Sequence, residues 1–156
     1  MFHEWRRGEY LISTDRSRLD LEMIHQYLTR SYWAEAIPFD IVERSVEHSL
    51  PFGLYKAMRQ IGFARVISDY ATYAYLADVF VLEEFQRQGH GKWLIQSILS
   101  HPSLQGLRRW SLITKDAHDL YRTVGFTALK RPEMHMEMVS PYIYKKVGDP
   151  PDERSE

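Results

Sequence analysis

Residues 75–99 read YLADVFVLEEFQRQGHGKWLIQSIL, and they are the most informative part of the chain. The first residues of this stretch are almost all apolar or aromatic, which is typical of a strand buried in the middle of a sheet. A turn containing Gly89 and Gly91 follows, and apolar residues then recur between positions 93 and 99 at the spacing of a helix face. The stretch therefore predicts a buried strand that turns directly into a helix.

Such a strand–turn–helix junction is suited to binding an anion. The first backbone amides of a helix lack partners within the helix, and its dipole places partial positive charge beside them. Glycines allow the backbone to wrap around a phosphate without a Cβ in the way, and Arg87 and Lys92 would add direct charge. The spacing matches neither the GxxxxGK[ST] loop nor the three-glycine dinucleotide fingerprint. An anion site and a plain tight turn both remain open on these residues alone.

Strands and helices alternate along the rest of the chain. Pro51 is predicted to end the second helix, the polar pair at 59–60 to join a hairpin, and Asp116 to cap the last helix. One mixed α/β domain with helices on both faces of a sheet is expected, over residues 9–142, followed by a disordered polar tail at 145–156. The predicted strands lie at 9–14, 52–58, 61–69, 72–83, 107–114 and 134–139, and the predicted helices lie within 15–33, 37–50, 92–100 and 116–126.

The composition excludes several classes of function. The net charge of -1 offers no basic surface for a nucleic acid, and no apolar run approaches the roughly 18 residues of a membrane span. Cysteine is absent, which excludes disulfides and thiolate metal sites and agrees with a cytoplasmic location. The seven histidines are scattered without an HExxH pattern, so no metal site is expected.

Two motifs in this chain resemble signatures of one enzyme family. Residues 86–91, QRQGHG, resemble the Q/R-x-x-G-x-G/A pyrophosphate loop of the GCN5-related N-acetyltransferases (GNAT). About 30 residues later, LYRTVGF at 120–126 is similar to the LYxxxGF segment of the same family. The predicted order of elements is also that of the family. The resemblance covers roughly residues 9–142 and implies a mostly antiparallel sheet that splays at the cofactor strand, with helices on both faces.

The resemblance also implies a cofactor and the residues that hold it. Acetyl-CoA would be the acyl donor, and the backbone groups of Val79 and Val81 would bind its pantetheine. Asp116 stands where the family commonly has an asparagine that helps to hold coenzyme A. The pyrophosphate would be held by the loop residues Gln86, Arg87, Gln88, Gly89, His90, Gly91 and Lys92.

Two side chains are candidates for the chemistry. Tyr121 matches the family tyrosine that donates a hydrogen bond to the departing thiolate, although a tyrosine that merely packs on the sheet would look the same in sequence. Asp78 matches an acidic residue of many small-amine acetyltransferases. A carboxylate with a pKa near 4 is a weak base, so Asp78 is expected to orient the amine while water relays the proton. The alternative is a carboxylate satisfied by the neighbouring backbone. Tyr75 stands where some family members carry a glutamate base.

The acceptor is expected to be a primary amine, most simply of a small molecule. Tyr32 and Trp33 lie between the first two helices, and Arg65 and Tyr75 lie on strands beside them, so these four residues are candidate substrate contacts. Their alternative role is core packing. Because the chain has no cysteine to carry an acetyl group, direct attack in a ternary complex is expected. The competing hypothesis is a catalytically silent coenzyme-A-binding sensor. By analogy with the family, a homodimer is possible.

Overall fold

The structure is a computed structural model that describes residues 1–145. Six strands form one sheet in the order β1-β2-β3-β4-β5-β6. Neighbouring strands are antiparallel except for the last pair, β5 and β6, which run parallel. The strands are β1 (Glu4–Arg7), β2 (Tyr10–Ser13), β3 (Leu50–Lys56), β4 (Arg59–Ser68), β5 (Tyr73–Val81) and β6 (Arg109–Ser111), and the helices are α1 (Leu21–Leu28), α2 (Phe39–Glu47), α3 (His90–Leu99) and α4 (His118–Arg122).

Helices pack on both faces of this sheet, as the sequence predicts. Side chains along a strand alternate between its faces, so Phe63 joins α1 and α2 on one face while the next residue, Ala64, joins the core on the α3 and α4 face. Phe80 of β5 packs beside Phe63, with ring centroids 6.1 Å apart. Both phenylalanines are buried, and they come from the neighbouring strands β4 and β5. The middle of the sheet is therefore covered on each side, and its ends are free to form a site.

The N-terminal half differs from the sequence prediction in three places. β1 precedes the predicted opening strand, which corresponds to β2, so the sheet begins before residue 9. The β3–β4 hairpin turns at Ala57 and Met58, not at 59–60, and Ala57 takes a positive φ of 52°. α2 ends at Glu47, and Pro51 lies inside β3. β3 therefore begins before Pro51, and β4 already includes residues 59–60, which the sequence assigns to the turn.

The C-terminal part of the structure differs more from the sequence prediction than the N-terminal half does. The predicted strand at 134–139 is wrong, because these residues form no strand and are exposed to solvent. The helix predicted to start at Asp116 is the short α4, whose N-cap position is Ala117 without a side-chain hydrogen bond. The predicted disordered tail lies outside the described residues, apart from Lys145.

Two further findings concern the described residues 1–145. None of their helices has the length and apolar character needed to cross a membrane. They bring together no group of three or more histidine or acidic side chains that could hold a metal ion.

Candidate active site

The sheet opens between β5 and β6. The two strands pair only from Tyr73↔Arg109 to Tyr75↔Ser111, and β5 then continues to Val81 without a parallel neighbour. The register of β5 against β4 shifts beside Asp78, which takes the left-handed φ of 56°. A bulge of this kind bends a strand and increases its twist. The second half of β5 therefore leaves a gap toward the β6 side, in which its backbone groups are unpaired by β6.

Val79 and Val81 present their backbone groups to this gap. The amide of Leu82 donates a hydrogen bond to the Ile61 carbonyl of β4 at 2.8 Å. Because successive backbone groups in a strand point to opposite edges, those of Val81 and Val79 point away from β4. The Val81 carbonyl already accepts a hydrogen bond from the Gln86 side chain at 2.7 Å. The Val81 amide and both groups of Val79 are the ones left for a ligand lying in the gap.

The loop after β5 has the shape of an anion-binding turn. Arg87 and Gly89 both take left-handed backbone conformations, with φ of 62° and 85°, and such turns draw successive amides into a concave nest. The first hydrogen bond of α3 runs from the Trp93 amide to the Gly89 carbonyl at 3.1 Å. The amides from His90 to Lys92 therefore precede the helical ladder and have no partner in it. A Cβ at Gly89 would meet nothing within 4 Å, so the space above the loop is open.

Two side chains of the loop are used inside the protein. The Gln86 amide group holds the end of β5 through its hydrogen bond to Val81. His90 is buried, and its ring lies 4.3 Å from that of Tyr10 in β2. Burial, and then the positive charge of Arg7, lowers the pKa of His90. The His90 ring is therefore directed into the protein, and the Gln86 side chain, although exposed, is already engaged with β5. The side chains of Arg87, Gln88 and Lys92 are exposed as well.

α4 places Tyr121 near both the loop and the gap. A Cβ on Gly91 would lie 3.8 Å from the side chain of Leu120, so the start of α3 and the middle of α4 are adjacent. Tyr121 is buried and packs edge-on against Phe126 at 5.8 Å. Burial, with a smaller contribution from Tyr32, raises the pKa of Tyr121 to about 12. Its hydroxyl is therefore a stable hydrogen-bond donor at physiological pH.

Asp78 is fully committed to two partners. One carboxylate oxygen accepts a hydrogen bond from Arg65 Nε at 2.6 Å, and the other accepts one from Trp33 Nε1 at 2.9 Å. The Asp78 and Arg65 side chains are only 10% and 16% exposed. Asp78 therefore holds other groups in place, and its partners are two side chains and not the neighbouring backbone that the sequence-based alternative named.

The connection between α1 and α2, residues 29–38, crosses over the gap. Trp33 is bound to Asp78 on β5, while the Tyr32 hydroxyl accepts a hydrogen bond from the Lys115 amide at 2.9 Å, beyond the end of β6. The Tyr32 and Trp33 rings also contact each other edge-to-face at 5.2 Å. This connection is thus tied to both sides of the splayed strands, and we call it the strap.

The remaining predicted residues lie around the strap. Tyr75 is half-buried, and burial followed by the neighbouring Tyr73 raises its pKa. Asp116 is exposed at the start of α4. Sequence reasoning missed Tyr27, which stacks on Phe80 with centroids 3.9 Å apart and rings 6° from parallel. Its position next to Leu28 in an amphipathic helix gave no signal that it would lie beside Trp33 of the strap as well as against the core.

Together these features fit an extended ligand with an anionic end. The nest of amides at 87–92 suits a pyrophosphate, the unpaired edge of β5 suits an amide-bearing chain, and Tyr121 lies where the chain would reach the strap. The predicted cofactor residues of β5 and the loop thus lie next to one another, whereas Asp116 is exposed before α4. The predicted substrate residues Tyr32, Trp33, Arg65 and Tyr75 lie near Asp78 and the strap.

Comparisons with known proteins agree with this geometry. Residues 48–128 match the family model described as an acetyltransferase (GNAT) domain. A Gibberella zeae protein classed provisionally as an acetyltransferase is 34% identical, with 75% of this chain and 78% of that protein covered. The crystal structure of a GNAT-family protein from Xanthomonas campestris is 49% identical and superposes with a TM-score of 0.86, covering 88% of this chain and 97% of the other.

A more distant structure shows the fold alone. Glucosamine-6-phosphate N-acetyltransferase from Arabidopsis thaliana is 12% identical, with a TM-score of 0.56 over 90% of this chain and 96% of the other. The splayed sheet, the loop before α3 and the two close sequence matches lead to the same conclusion: this chain belongs to the GNAT acetyltransferase family.

Proposed function

We propose that the protein transfers an acetyl group from acetyl-CoA to a primary amine of a small molecule. The observation that carries this proposal is the presence, in one region, of the amide nest at 87–92, the open edge of β5 and the hydroxyl of Tyr121, whose ring is buried. Acetyl-CoA would supply a thioester whose carbonyl carbon is attacked by the amine. The family uses acyl-CoA donors, and an acetyl group is the simplest one for this site.

Donor binding uses mainly the backbone. The pyrophosphate would accept hydrogen bonds from the loop amides, where the α3 dipole adds partial positive charge, and Arg87 and Lys92 would add charge at the rim. The chain of the donor would pair with Val79 and the Val81 amide. Because these are main-chain contacts, binding depends on backbone shape more than on side-chain identity.

Tyr121 would stabilise the departing thiolate by donating a hydrogen bond. Full proton transfer from a phenol with a pKa of about 12 to a thiol near 8.5 would be uphill by roughly 5 kcal/mol. Tyr121 therefore keeps its proton and acts through the hydrogen bond, which strengthens as negative charge develops on sulfur. The amine proton leaves through water, because Asp78 is occupied by Arg65 and Trp33.

Acceptor recognition would rest on aromatic faces. Tyr27, Tyr32 and Trp33 are neighbours, with Trp33 6.4 Å from Tyr27 and 5.2 Å from Tyr32. Aromatic faces attract cations, whereas the charge of Asp78 is already balanced by Arg65. The strap also crosses the acceptor end of the gap, which favours a compact amine over a folded protein surface.

One observation favours the silent sensor as the second candidate, namely that both oxygens of Asp78, the nearest acidic group, already accept a hydrogen bond from another side chain. Free thiol release separates the two functions. Since the chain has no cysteine, a thiol reagent reports only the coenzyme A produced. We expect release that depends on added small amines and is at least tenfold slower with a lysine peptide. Peptide acetylation alone would contradict the small-molecule acceptor, and donor binding without release for any amine would support the sensor.

Replacing Gly89 with alanine tests the phosphate loop. Both Gly89 and Gly106 take positive φ, 85° and 74°, and a Cβ added at either would meet nothing within 4 Å, so Gly106→Ala is a matched control. A left-handed alanine costs about 1–2 kcal/mol, and both variants should lose similar stability. Only Gly89→Ala should weaken acetyl-CoA binding, by about tenfold, as the loop relaxes and its amides move. Equal affinities in calorimetry would contradict the assigned loop.

A further inference from the structure

Three apolar side chains share one face of β4 and β5 at the end where this pair of strands meets β6. Val66 and Leu76, which are paired across β4 and β5, belong to the core on the α3 and α4 face. Side chains alternate along a strand, so the neighbouring pair, Ile67 and Tyr75, lies on the opposite face. Tyr73, two positions before Tyr75, shares that face. We call the surface formed by Ile67, Tyr73 and Tyr75 the ledge.

Helices α1 and α2 pack on the same face of the sheet without covering the ledge. Among the described residues, the core under these helices is built around Phe63 and Phe80 and includes none of the three ledge side chains. Ile67 is 45% exposed and Tyr73 is 39% exposed. Apolar side chains that are exposed next to one another mark a binding surface. The ledge is therefore a candidate contact for a ligand.

The ledge adjoins the acceptor end of the gap. Asp78 follows Tyr75 by three positions on β5, which corresponds to about 10 Å along the strand. Arg65, which holds Asp78, lies two positions before Ile67 on the same face of β4. Trp33 of the strap is bound to Asp78 and is 41% exposed. A molecule held at Asp78 and the strap could therefore extend over the ledge.

The ledge presents aromatic rings in fixed positions. The hydroxyls of Tyr73 and Ser111 of β6 are joined by a hydrogen bond, so the polar end of the Tyr73 ring is occupied while its face stays available. Ile67 lies opposite Tyr75 in the register of the two strands, and side chains at this spacing contact each other. Aromatic rings pack together in offset or edge-on arrangements. The ledge therefore suits a ligand that carries an aromatic ring.

The charges around the ledge are balanced. At its inner end, Asp78 is paired with Arg65. Its outer end has one charge of each sign, Asp69 and Arg109. The Asp69 carboxylate accepts hydrogen bonds from the backbone amides of its own turn, and Arg109 is the register partner of Tyr73. This balance favours an uncharged apolar group over a second amine or a carboxylate.

We propose that the acceptor is an arylalkylamine whose ring lies on the ledge, an inference that rests on the function proposed above. The amine would lie near Asp78, and a short alkyl chain would carry the ring to Ile67 and Tyr75. The bond from the amine nitrogen to the acetyl carbon forms as the bond from that carbon to sulfur breaks. Sulfur leaves with the electron pair as the coenzyme A thiolate, and the amine proton passes to water.

The first test compares two primary amines of similar basicity, phenethylamine and butylamine, with the unmodified protein. A thiol reagent follows the release of coenzyme A from acetyl-CoA. We expect kcat/KM for phenethylamine to be higher by about tenfold or more, because its ring covers apolar surface of the ledge that butylamine does not reach. Both amines present the same unhindered amino group, so the ratio of their kcat/KM values reports the ledge and not the chemical step.

Variants of the ledge locate the preference. Tyr73→Asn and Ile67→Asn should each lower the ratio by about fivefold or more, mainly by raising KM for phenethylamine, since they remove a contact shared by the ground and transition states. Tyr70→Asn is the matched control. Tyr70 is a comparably exposed tyrosine, at 49%, but it lines a cavity with His3 and His101 on the other side of the sheet. Asparagine tolerates its left-handed φ of 61°, and the ratio should stay unchanged.

The outcomes separate this proposal from the proposed function. Release of coenzyme A with equal kcat/KM for the two amines would overturn the arylalkylamine acceptor and leave the acetyltransferase in place. A preference for phenethylamine that persists in both Tyr73→Asn and Ile67→Asn would overturn the role of the ledge. Absence of release with these and all other small amines would overturn both proposals.

Discussion

Replacing Tyr121 with phenylalanine is expected to lower kcat roughly 100-fold, with the Kd for acetyl-CoA unchanged. The substitution removes only the hydroxyl that donates to the developing thiolate, and a positioned proton donor contributes about 10²–10⁴-fold. The ring and its edge contact with Phe126 remain. Steady-state kinetics and calorimetry on the same preparations measure the two quantities separately.

Tyr55→Phe is the matched control. Tyr55 is also a buried tyrosine, and its hydroxyl has no hydrogen-bond partner among the described residues. Burial raises its pKa above the ordinary value as well, but β3 holds it away from the loop and the gap. Removing the Tyr55 hydroxyl should leave kcat within twofold of that of the unmodified protein. Equal kcat for the unmodified protein and Tyr121→Phe would exclude the proposed hydrogen bond.

The pH profile follows from the same hydroxyl. The pKa of Tyr121 is raised to about 12, so its proton stays bound in the folded protein as pH rises through the usual tyrosine value near 10. Between pH 7 and 10 the rate should therefore not fall through ionisation of Tyr121. An alkaline loss of kcat in that range that disappears in Tyr121→Phe would contradict the assignment.

Replacing Arg65 with methionine is expected to lower the free energy of unfolding by about 3 kcal/mol. The substitution leaves Asp78 charged, largely buried and bound only to Trp33 Nε1, and such an uncompensated buried charge is strongly destabilising. For a chain of this size the melting temperature should fall by roughly 6–12 °C. Thermal and denaturant unfolding followed by circular dichroism measure the loss.

Two further variants make this test specific. Arg59→Met breaks an ion pair with Glu84 of the same 2.6 Å length, but both of its side chains are more than half exposed, so its removal should cost less than about 1 kcal/mol. Adding Asp78→Asn to Arg65→Met removes the orphaned charge, and asparagine tolerates the left-handed backbone at position 78. The double variant should recover part of the stability. If the free energy of unfolding falls no more for Arg65→Met than for Arg59→Met, the stabilising role assigned to the buried Arg65–Asp78 pair is contradicted.

The central part of the site could be predicted from the sequence because the residues that specify it are neighbours along the chain. The strand, the glycine turn and the helix of residues 75–99 follow one another along the chain, and each is specified by its own residues. The contacts of Asp78 could not be predicted in this way. Its partners Arg65 and Trp33 are 13 and 45 positions away, and only the pairing of β4 with β5 and the path of the strap bring them together.

The errors toward the C-terminus also have physical causes. Residues 134–139 have the alternation of a strand, but alternation alone does not make a strand, and in the structure these residues are exposed and pair with none of the six described strands. Asp116 has the chemistry of an N-cap, yet α4 starts two residues later and its cap lies at Ala117. In both cases the residues do have the local preference that the sequence indicates, but contacts with the rest of the protein decide which structure forms.

A calorimetric titration of the unmodified protein with acetyl-CoA, repeated with Gly89→Glu, tests the donor site itself. We expect saturable binding at one site per chain, and its loss in the variant, where a carboxylate and a strained backbone enter the pyrophosphate nest. Absence of binding at millimolar acetyl-CoA, or equal binding by both proteins, would mean that the loop before α3 is an ordinary turn and would contradict the proposed site.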